Sequence, residues 1–308
     1  MRSIVTGGAG FIGSHLVDYL VGAGDDVIVI DSLISGDLNS IKNHLDEKRV
    51  TLVSADLLSD SWQEYLSGAD RVYHLAADPD VRESSVAPEK QLNNTIIATH
   101  RVLEAMRKAC VPEIVFTSTS TVYGEASVIP TPESYTPMEP VSVYGASKLA
   151  CEALISAYSH SFSMRSWIFR FANIIGARSG HGVITDFIRK LKENPHELEI
   201  LGDGNQTKSY LEVRECIRAI MYVVSHTRDP VNTYNIGSED WISVTEIADI
   251  LCSEMGLSPQ YHYTGGSRGW IGDVPKMQLD ISRLKNLGYV PDITSGESVR
   301  IAVRAALE

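Results

Sequence analysis

The chain has 308 residues, 44% hydrophobic and 21% charged, an ordinary globular composition with length for one large domain or two smaller ones and a sizeable core. Its net charge of -12 and pI near 5.2 exclude general affinity for nucleic acid or an anionic membrane, so any anionic ligand must be met by local cations. After Met1-Arg2 the chain enters an apolar strand directly, and no apolar run approaches the roughly 18 residues that span a bilayer. Cys110, Cys151, Cys216 and Cys252 form no CxxC pair and the histidines no HExxH spacing, so the expectation is a cytoplasmic protein with reduced thiols and no metal.

In chain order, β-branched runs predict strands at Ser3-Val5, Val27-Ile30, Thr51-Val53, Arg71-Leu75, Ile114-Thr117 and Trp167-Phe169. Helices are expected at Gly13-Ala23, Asn93-Ala109 and Val143-Ser161. Continuous apolar strands such as Val27-Ile28-Val29-Ile30 suit a parallel sheet covered on both faces, and the alternation reads as an α/β, Rossmann-type doubly wound lobe. After Asn173 the pattern turns irregular, with helices near Ile184-Lys192, Val213-Val224 and Val244-Met255 and a strand at Leu198-Leu201. This predicts a smaller interleaved lobe with a cleft beside the first, since no linker or repeat separates them.

Thr6-Gly7-Gly8-Ala9-Gly10-Phe11-Ile12-Gly13 follows the first strand and opens the first helix. A glycine triplet alone is equally a tight turn; here Gly7, Gly10 and Gly13 stand where backbone must approach a pyrophosphate and helix N–H groups can hold its charge. Asp31 ends the second strand, where a carboxylate accepts from both ribose hydroxyls and repels a 2'-phosphate, which favours NAD over NADP. Asp56-Leu57 and Ala76-Ala77 follow later strands at the same sheet edge. Tyr144 and Lys148 share a helix face. Such a pair arises by chance on many helices, and its weight comes from the glycine loop upstream. A phenol brought from its usual pKa near 10 to neutrality requires roughly 4 kcal/mol of differential stabilisation, which the Lys148 cation and a positive nicotinamide ring can supply.

Thr6-His15 (TGGAGFIGSH), His74-Ala77 (HLAA), Thr117-Gly124 (TSTSTVYG), Tyr144-Lys148 (YGASK), Phe169-Gly176 (FRFANIIG) and Arg268-Asp273 (RGWIGD) together resemble the extended short-chain dehydrogenase/reductase family over essentially the whole chain. Within it they are most similar to the NAD-dependent UDP-galactose (UDP-glucose) 4-epimerases of archaeal and bacterial type. The resemblance implies Thr119 as the hydroxyl partner of Tyr144, and Asn94 as a cofactor contact, with Thr95 where relatives repeat an asparagine. It completes the expected NAD set of Gly7, Gly10, Phe11, Ile12, Gly13, Asp31, Asp56, Leu57, Ala76, Ala77, Asn94, Tyr144 and Lys148 with Ser32, Ser35, Gly36, Leu75, Ser118 and Phe171. It also implies an NAD lobe over residues 1–171, completed by about 210–234, and a nucleotide-sugar lobe over 172–209 and 235–308.

Relatives that dehydrate or decarboxylate the sugar carry an acid just before VYG, where this chain has Ser120 and Thr121. The resemblance therefore implies C4 epimerisation of a UDP-hexose through a 4-keto sugar, with Tyr144 as base. An epimerase of UDP-N-acetylhexosamine or UDP-uronate, a keto-sugar reductase and a non-catalytic NAD-binding protein are the alternatives. For the substrate it implies Arg268 and Asn173 at the diphosphate, Val183 (after His181-Gly182) in the sugar wall, Ile200 near the uracil, and Asp273, with Thr119 and Tyr144 at the sugar. Lys208-Ser209 replace the family's Arg-Asp, so Lys208 reads either as a diphosphate ligand without a bidentate fork or as a solvated loop lysine. Met277 stands beside the hexose in relatives and decides little. A homodimer through the helices Asn93-Ala109 and Val143-Ser161 is implied, with Leu103, Met106, Leu149, Leu154 and Ile155 either at the seam or facing the sheet.

Overall fold

Apolar, β-branched runs form β1 (Arg2–Thr6), β2 (Asp26–Asp31), β3 (Val50–Ser54), β4 (Arg71–His74), β5 (Glu113–Thr119) and β6 (Arg165–Phe171) in a computed structural model that describes residues 1–79, 81, 83–270 and 274–308. The chain divides into two units, the first comprising Met1–Val122, Glu139–Arg170 and Val224–Tyr234, the second Tyr123–Met138, Phe171–Val223 and Asn235–Glu308. Among the described residues seven strands make the main sheet, in the order Val231–Ile236, β6, β5, β4, β1, β2, β3, and β3-β2-β1-β4-β5 run parallel. This is the expected Rossmann-type order, reversing direction between β1 and β4, where the carboxyl ends of the strands open a ligand crevice.

Every predicted strand of the first half is present; five extend one or two residues further at each end, and Arg71–His74 stops one residue short of the expected Leu75. The seventh, Val231–Ile236, was not foreseen, because Asn232 and Asn235 interrupt its apolar run. Both side chains are fully buried; that of Asn232 donates to the carbonyls of Ser166 at 3.1 Å and Asp229 at 2.6 Å.

The helix α1 (Phe11–Gly22), with Ala98–Ala109 and Val143–Phe162, covers the sheet. Leu103, Met106 and Ile155 are completely buried with Ile4, Val72, Ile114 and Phe116, so of the two readings offered for them they face the sheet and cannot form an intersubunit seam. Ahead of Ala98 the expected regular helix is replaced by Pro88–Gln91 and a π-helical turn, Leu92–Ile97. The cause is local: the Thr99 hydroxyl bonds the Thr95 carbonyl at 2.6 Å and the Cys151 thiol reaches it at 3.5 Å, competing with the regular ladder.

The second unit is more ordered than its sequence implied. Short strand pairs join Asn173–Ile175 to Tyr210–Glu212 and Glu197–Ile200 to Gln260–Tyr263, and Thr207–Lys208 lies between Ile242–Ser243 and Lys276–Met277. The amphipathic helices Val183–Glu193, Val244–Met255 and Ser295–Leu307 close a core of Phe187, Leu191, Leu198, Ile200, Leu251 and Val299. Ser243 with Glu246, and Thr294 with Glu297, form capping boxes that start the last two. Residues 123–138, read from the sequence as part of the first lobe, group with this unit: the Tyr123 hydroxyl donates to Asn235 Oδ1 at 2.8 Å, and Thr131 exchanges backbone bonds with Gln278 and Asp280. Residues 210–223 do so too, through strand Tyr210–Glu212. Among the described residues no helix is long and apolar enough to cross a membrane.

Candidate active site

The turn between β1 and α1 is shaped by contacts that only glycine permits. Gly7 has φ +72°, and a Cβ there would lie 2.7 Å from the Ala76 amide nitrogen. A Cβ on Gly13 would strike the Gly7 carbonyl oxygen and lie 2.9 Å from Gly8 Cα, so the helix start packs directly on the loop. α1 begins with no side-chain cap and no acidic residue in its first turn, which leaves its first N–H groups and the positive dipole end available to a phosphate. Phe11 and Ile12 occupy that first turn.

At the end of β2, Asp31 is 8% exposed, and its two oxygens accept the Ala9 and Leu33 amides, each at 2.9 Å. Its carboxylate is thereby anchored to the glycine loop. A Cβ on Gly36 would come within 2.9 Å of Asp31 Oδ1, so the segment carrying Ser32, Ser35 and Gly36 folds closely over the carboxylate. Leu75–Ala77 run beside Gly7, with the Leu75 amide on the Thr6 carbonyl. Asp56 is exposed and turns its carboxylate to the Leu58 amide, while the Leu57 side chain is buried in the core. Asn94 is exposed on the π-helical turn, and Phe171 is buried at the end of β6. A close-packed glycine turn, an uncapped helix start and an anchored carboxylate fit a dinucleotide with free ribose hydroxyls.

Tyr144 and Lys148 sit near the start of Val143–Phe162, which Ser142 caps by accepting the Gly145 amide at 3.1 Å. A Cβ on Gly145 would lie 2.7 Å from the Thr121 carbonyl oxygen, so the glycine of the YGASK motif allows the helix to approach the end of β5. There Thr119 Oγ1 accepts from both the amide and the hydroxyl of Thr121, each at 3.2 Å. Its own proton is left to donate to the Tyr144 oxygen, the direction that favours a phenolate. Thr121 was noted in the sequence only for lacking a carboxylate; here it orients the Thr119 hydroxyl.

Electrostatics at the pair differ from expectation. Burial pushes the Tyr144 phenol up to about 12, the Thr119 hydrogen bond opposes this, and the negative charge of Asp78 adds to it. Asp78 is the acidic neighbour the sequence did not single out; it follows the HLAA turn, and Gln91 Nε2 holds its carbonyl at 3.2 Å. Lys148, 3% exposed, donates to the Thr117 carbonyl at 2.9 Å and lies 4.8 Å from the Phe116 ring centre. Burial brings its ammonium down to about 8, opposed by Glu152 and, where ionised, by the Cys151 thiol. One donor is engaged by Thr117, and two remain for a ligand. The Ser118 hydroxyl turns inward to Glu152 Oε1 at 2.5 Å, so a ligand meets only its backbone.

His74 of the HLAA motif is completely buried between Thr6 Oγ1 at 2.7 Å and Thr99 Oγ1 at 2.9 Å. Because the Thr99 hydroxyl proton goes to the Thr95 carbonyl, Thr99 accepts from His74 Nε2–H and His74 Nδ1 accepts from Thr6. The imidazole is neutral, held down to about 3 by burial and by the Lys148 charge. It ties the end of β1 to the first turn of Ala98–Ala109.

In the second unit, Asn173 donates its side-chain amide to the Ser209 carbonyl at 3.2 Å, and Val183 opens the helix that follows Gly182. Lys208 Nζ stacks 5.0 Å from the Trp270 ring centre and is thus not a freely solvated lysine; its strand pairs with Met277. Arg268 bonds Glu125 at 2.8 Å. Ile200 is completely buried in the core, which corrects its expected place in a uracil pocket to its backbone at most. Asp273 lies outside the described residues.

The family model described as the NAD dependent epimerase/dehydratase family matches residues 3–237. A Methanocaldococcus jannaschii protein provisionally named a UDP-glucose 4-epimerase is 34% identical over 307 residues, 97% of this chain and 96% of its own. Among solved structures, that of a UDP-galactose 4-epimerase has TM-score 0.90 at 40% identity, covering 100% of this chain and 99% of its own. A UDP-glucuronic acid 4-epimerase from Bacillus cereus, in complex with UDP-glucuronic acid and NAD, gives 0.89 at 28% identity, covering 99% and 98%.

Proposed function

Because the chain belongs to the NAD-dependent epimerase/dehydratase family, we propose that it is an isomerase interconverting UDP-galactose and UDP-glucose at C4 through a transient 4-keto sugar. The observation that carries this reading is Thr119 donating to Tyr144 on a β5 end where Ser120 and Thr121 supply no acid for elimination or decarboxylation. NAD is the cofactor, and when bound it accepts a hydride from the sugar and returns it. Gly7, Gly10 and Gly13 hold its diphosphate, and Asp31 holds the adenosine ribose and excludes a 2'-phosphate. Tyr144 takes the proton of the 4-hydroxyl and gives it back, Thr119 keeps the phenol oxygen aligned, and Lys148 offers its remaining donors and its charge. Lys208, Arg268 and Asn173 are the groups that would grip the UDP diphosphate.

Among UDP-hexoses, Asp78 favours a neutral sugar. A carboxylate whose field reaches the phenol opposes a second carboxylate at C6. Incubation with UDP-galactose and no added nicotinamide is expected to yield UDP-glucose at least about tenfold faster than UDP-glucuronate is epimerised, with Asp78→Asn narrowing the gap. Chromatography showing no conversion of UDP-galactose, while UDP-glucuronate or UDP-N-acetylglucosamine is converted, would transfer the assignment to that sugar.

We also propose a homodimer through Ala98–Ala109 and Val143–Phe162. With Leu103, Met106 and Ile155 in the core, the half-buried Leu149 and Leu154 and the exposed Ile97, His100 and Phe162 are among the side chains left to face a partner. Sedimentation at micromolar concentration is expected to give a dimer mass, reduced by Phe162→Glu; a monomeric parent rejects the arrangement.

A further inference from the structure

The helix face that carries Tyr144 and Lys148 continues one turn further to Glu152. Glu152 is 5% exposed, and its carboxylate accepts the Ser118 hydroxyl at 2.5 Å together with Arg170 Nη2 at 2.7 Å and Nε at 3.1 Å. Arg170 is equally buried, so the pair is sealed from solvent. An ion pair of this kind is poor evidence for stability, because desolvation of two charges offsets their attraction and apolar residues of similar volume serve as well. Its position gives it other work.

Lys148 stands one helical turn before Glu152, and its surroundings are defined. From its own helix it meets Cys151 and Glu152, from β5 the Thr117 carbonyl and the Phe116 ring, from β4 the neutral His74, and from β6, beyond Glu152, Arg170. Burial raises the Cys151 thiol, so it is neutral, and of these groups Glu152 carries the negative charge. Ser118, fixed by the same carboxylate, precedes the Thr119 that aligns the Tyr144 phenol.

We propose that Glu152 is a positioning residue of the Tyr144 site: its buried carboxylate, held by Arg170, places a negative charge one helical turn from Lys148 and pins the Ser118-Thr119 end of β5. The inference rests on Tyr144 and Lys148 being the catalytic pair. In a Glu152→Gln protein two effects act in one direction on Lys148, because the anion is lost and the Arg170 cation is left unbalanced.

The test reads Lys148 directly and needs no sugar. Protein carrying isotope-labelled lysine is titrated by NMR, the Lys148 signal being the one absent from Lys148→Met. The parent midpoint is expected near 8. Glu152→Gln should lower it by about one pH unit or more, and Glu152→Asp should restore most of that. Glu152→Gln/Arg170→Met removes both buried charges and keeps the fold where the single variant does not; its midpoint should lie between parent and single variant. An unchanged midpoint in both Gln-containing proteins, or a Glu152→Asp midpoint as low as that of Glu152→Gln, overturns the proposal. A failed UDP-galactose assay leaves this titration untouched, so the two ideas fall separately.

Discussion

Tyr144→Phe is expected to slow UDP-galactose conversion by about 10²- to 10⁴-fold while NAD stays bound and the Michaelis constant changes little. The substitution keeps the ring and its packing and removes the one oxygen that can exchange a proton with the 4-hydroxyl. It also leaves the Thr119 proton without its acceptor, a loss of about 1 kcal/mol of stability that cannot account for a rate effect of this size. Within the protein's own field the phenol lies at about 12, so bringing it to neutrality takes about 7 kcal/mol, more than an isolated tyrosine needs. That value already includes the Thr119 hydrogen bond, so the cationic charges that gather around the bound substrate must supply the difference. The reactive form is the phenolate, so turnover should rise with pH through the phenol's value in the ternary complex. Single-turnover rates of parent and variant, measured on protein with matched NAD content, decide the matter. A variant within threefold of the parent, roughly 0.6 kcal/mol, would remove Tyr144 from the mechanism.

Acid should destabilise the first unit through His74. Folded His74 binds a proton only near pH 3, whereas an exposed histidine does so at its ordinary value of about 6.5. Above that value both states are neutral and the residue contributes no pH dependence. Below it the unfolded chain takes up a proton that the folded chain refuses, so stability falls as pH drops from about 6.5 toward about 3. The loss amounts to about 3 kcal/mol at pH 4. His74→Gln keeps a donor and an acceptor between Thr6 and Thr99, costs about 1 kcal/mol at pH 7, and cannot take up that proton. Urea unfolding at pH 7 and pH 4 should therefore show the variant losing about 3 kcal/mol less than the parent across the interval. Equal losses would mean that other groups dominate acid unfolding.

What the sequence made legible was what depends on local pattern. Val27-Ile28-Val29-Ile30 could only be a strand buried on both faces, and Gly7, Gly10 and Gly13 with Asp31 announced a dinucleotide crevice, which the backbone contacts of those glycines explain. Tyr144 and Lys148 were visible through helical spacing, and the spacing extends to Glu152. What it did not disclose was Arg170, its partner from the strand β6. Asp78 was hidden for the same reason: nothing in the residues after HLAA tells which side chain the loop turns toward the phenol. Val231–Ile236 was missed because its polar residues are satisfied by distant carbonyls, such as that of Ser166, that only the folded chain supplies. Ile200 erred the other way, since its alternating strand predicts one buried face but not which core receives it.

The opening turn of α1 ties cofactor retention to local folding. A helix that starts without a capping side chain has its first amides open to exchange and its first turn prone to fraying, and Gly10 and Gly13 add backbone freedom to that end. A dinucleotide phosphate seated there, as proposed, would do the work of the missing cap, and the turn would tighten as the ligand binds. Removal of the dinucleotide should then loosen this turn, seen as faster amide exchange at its first residues.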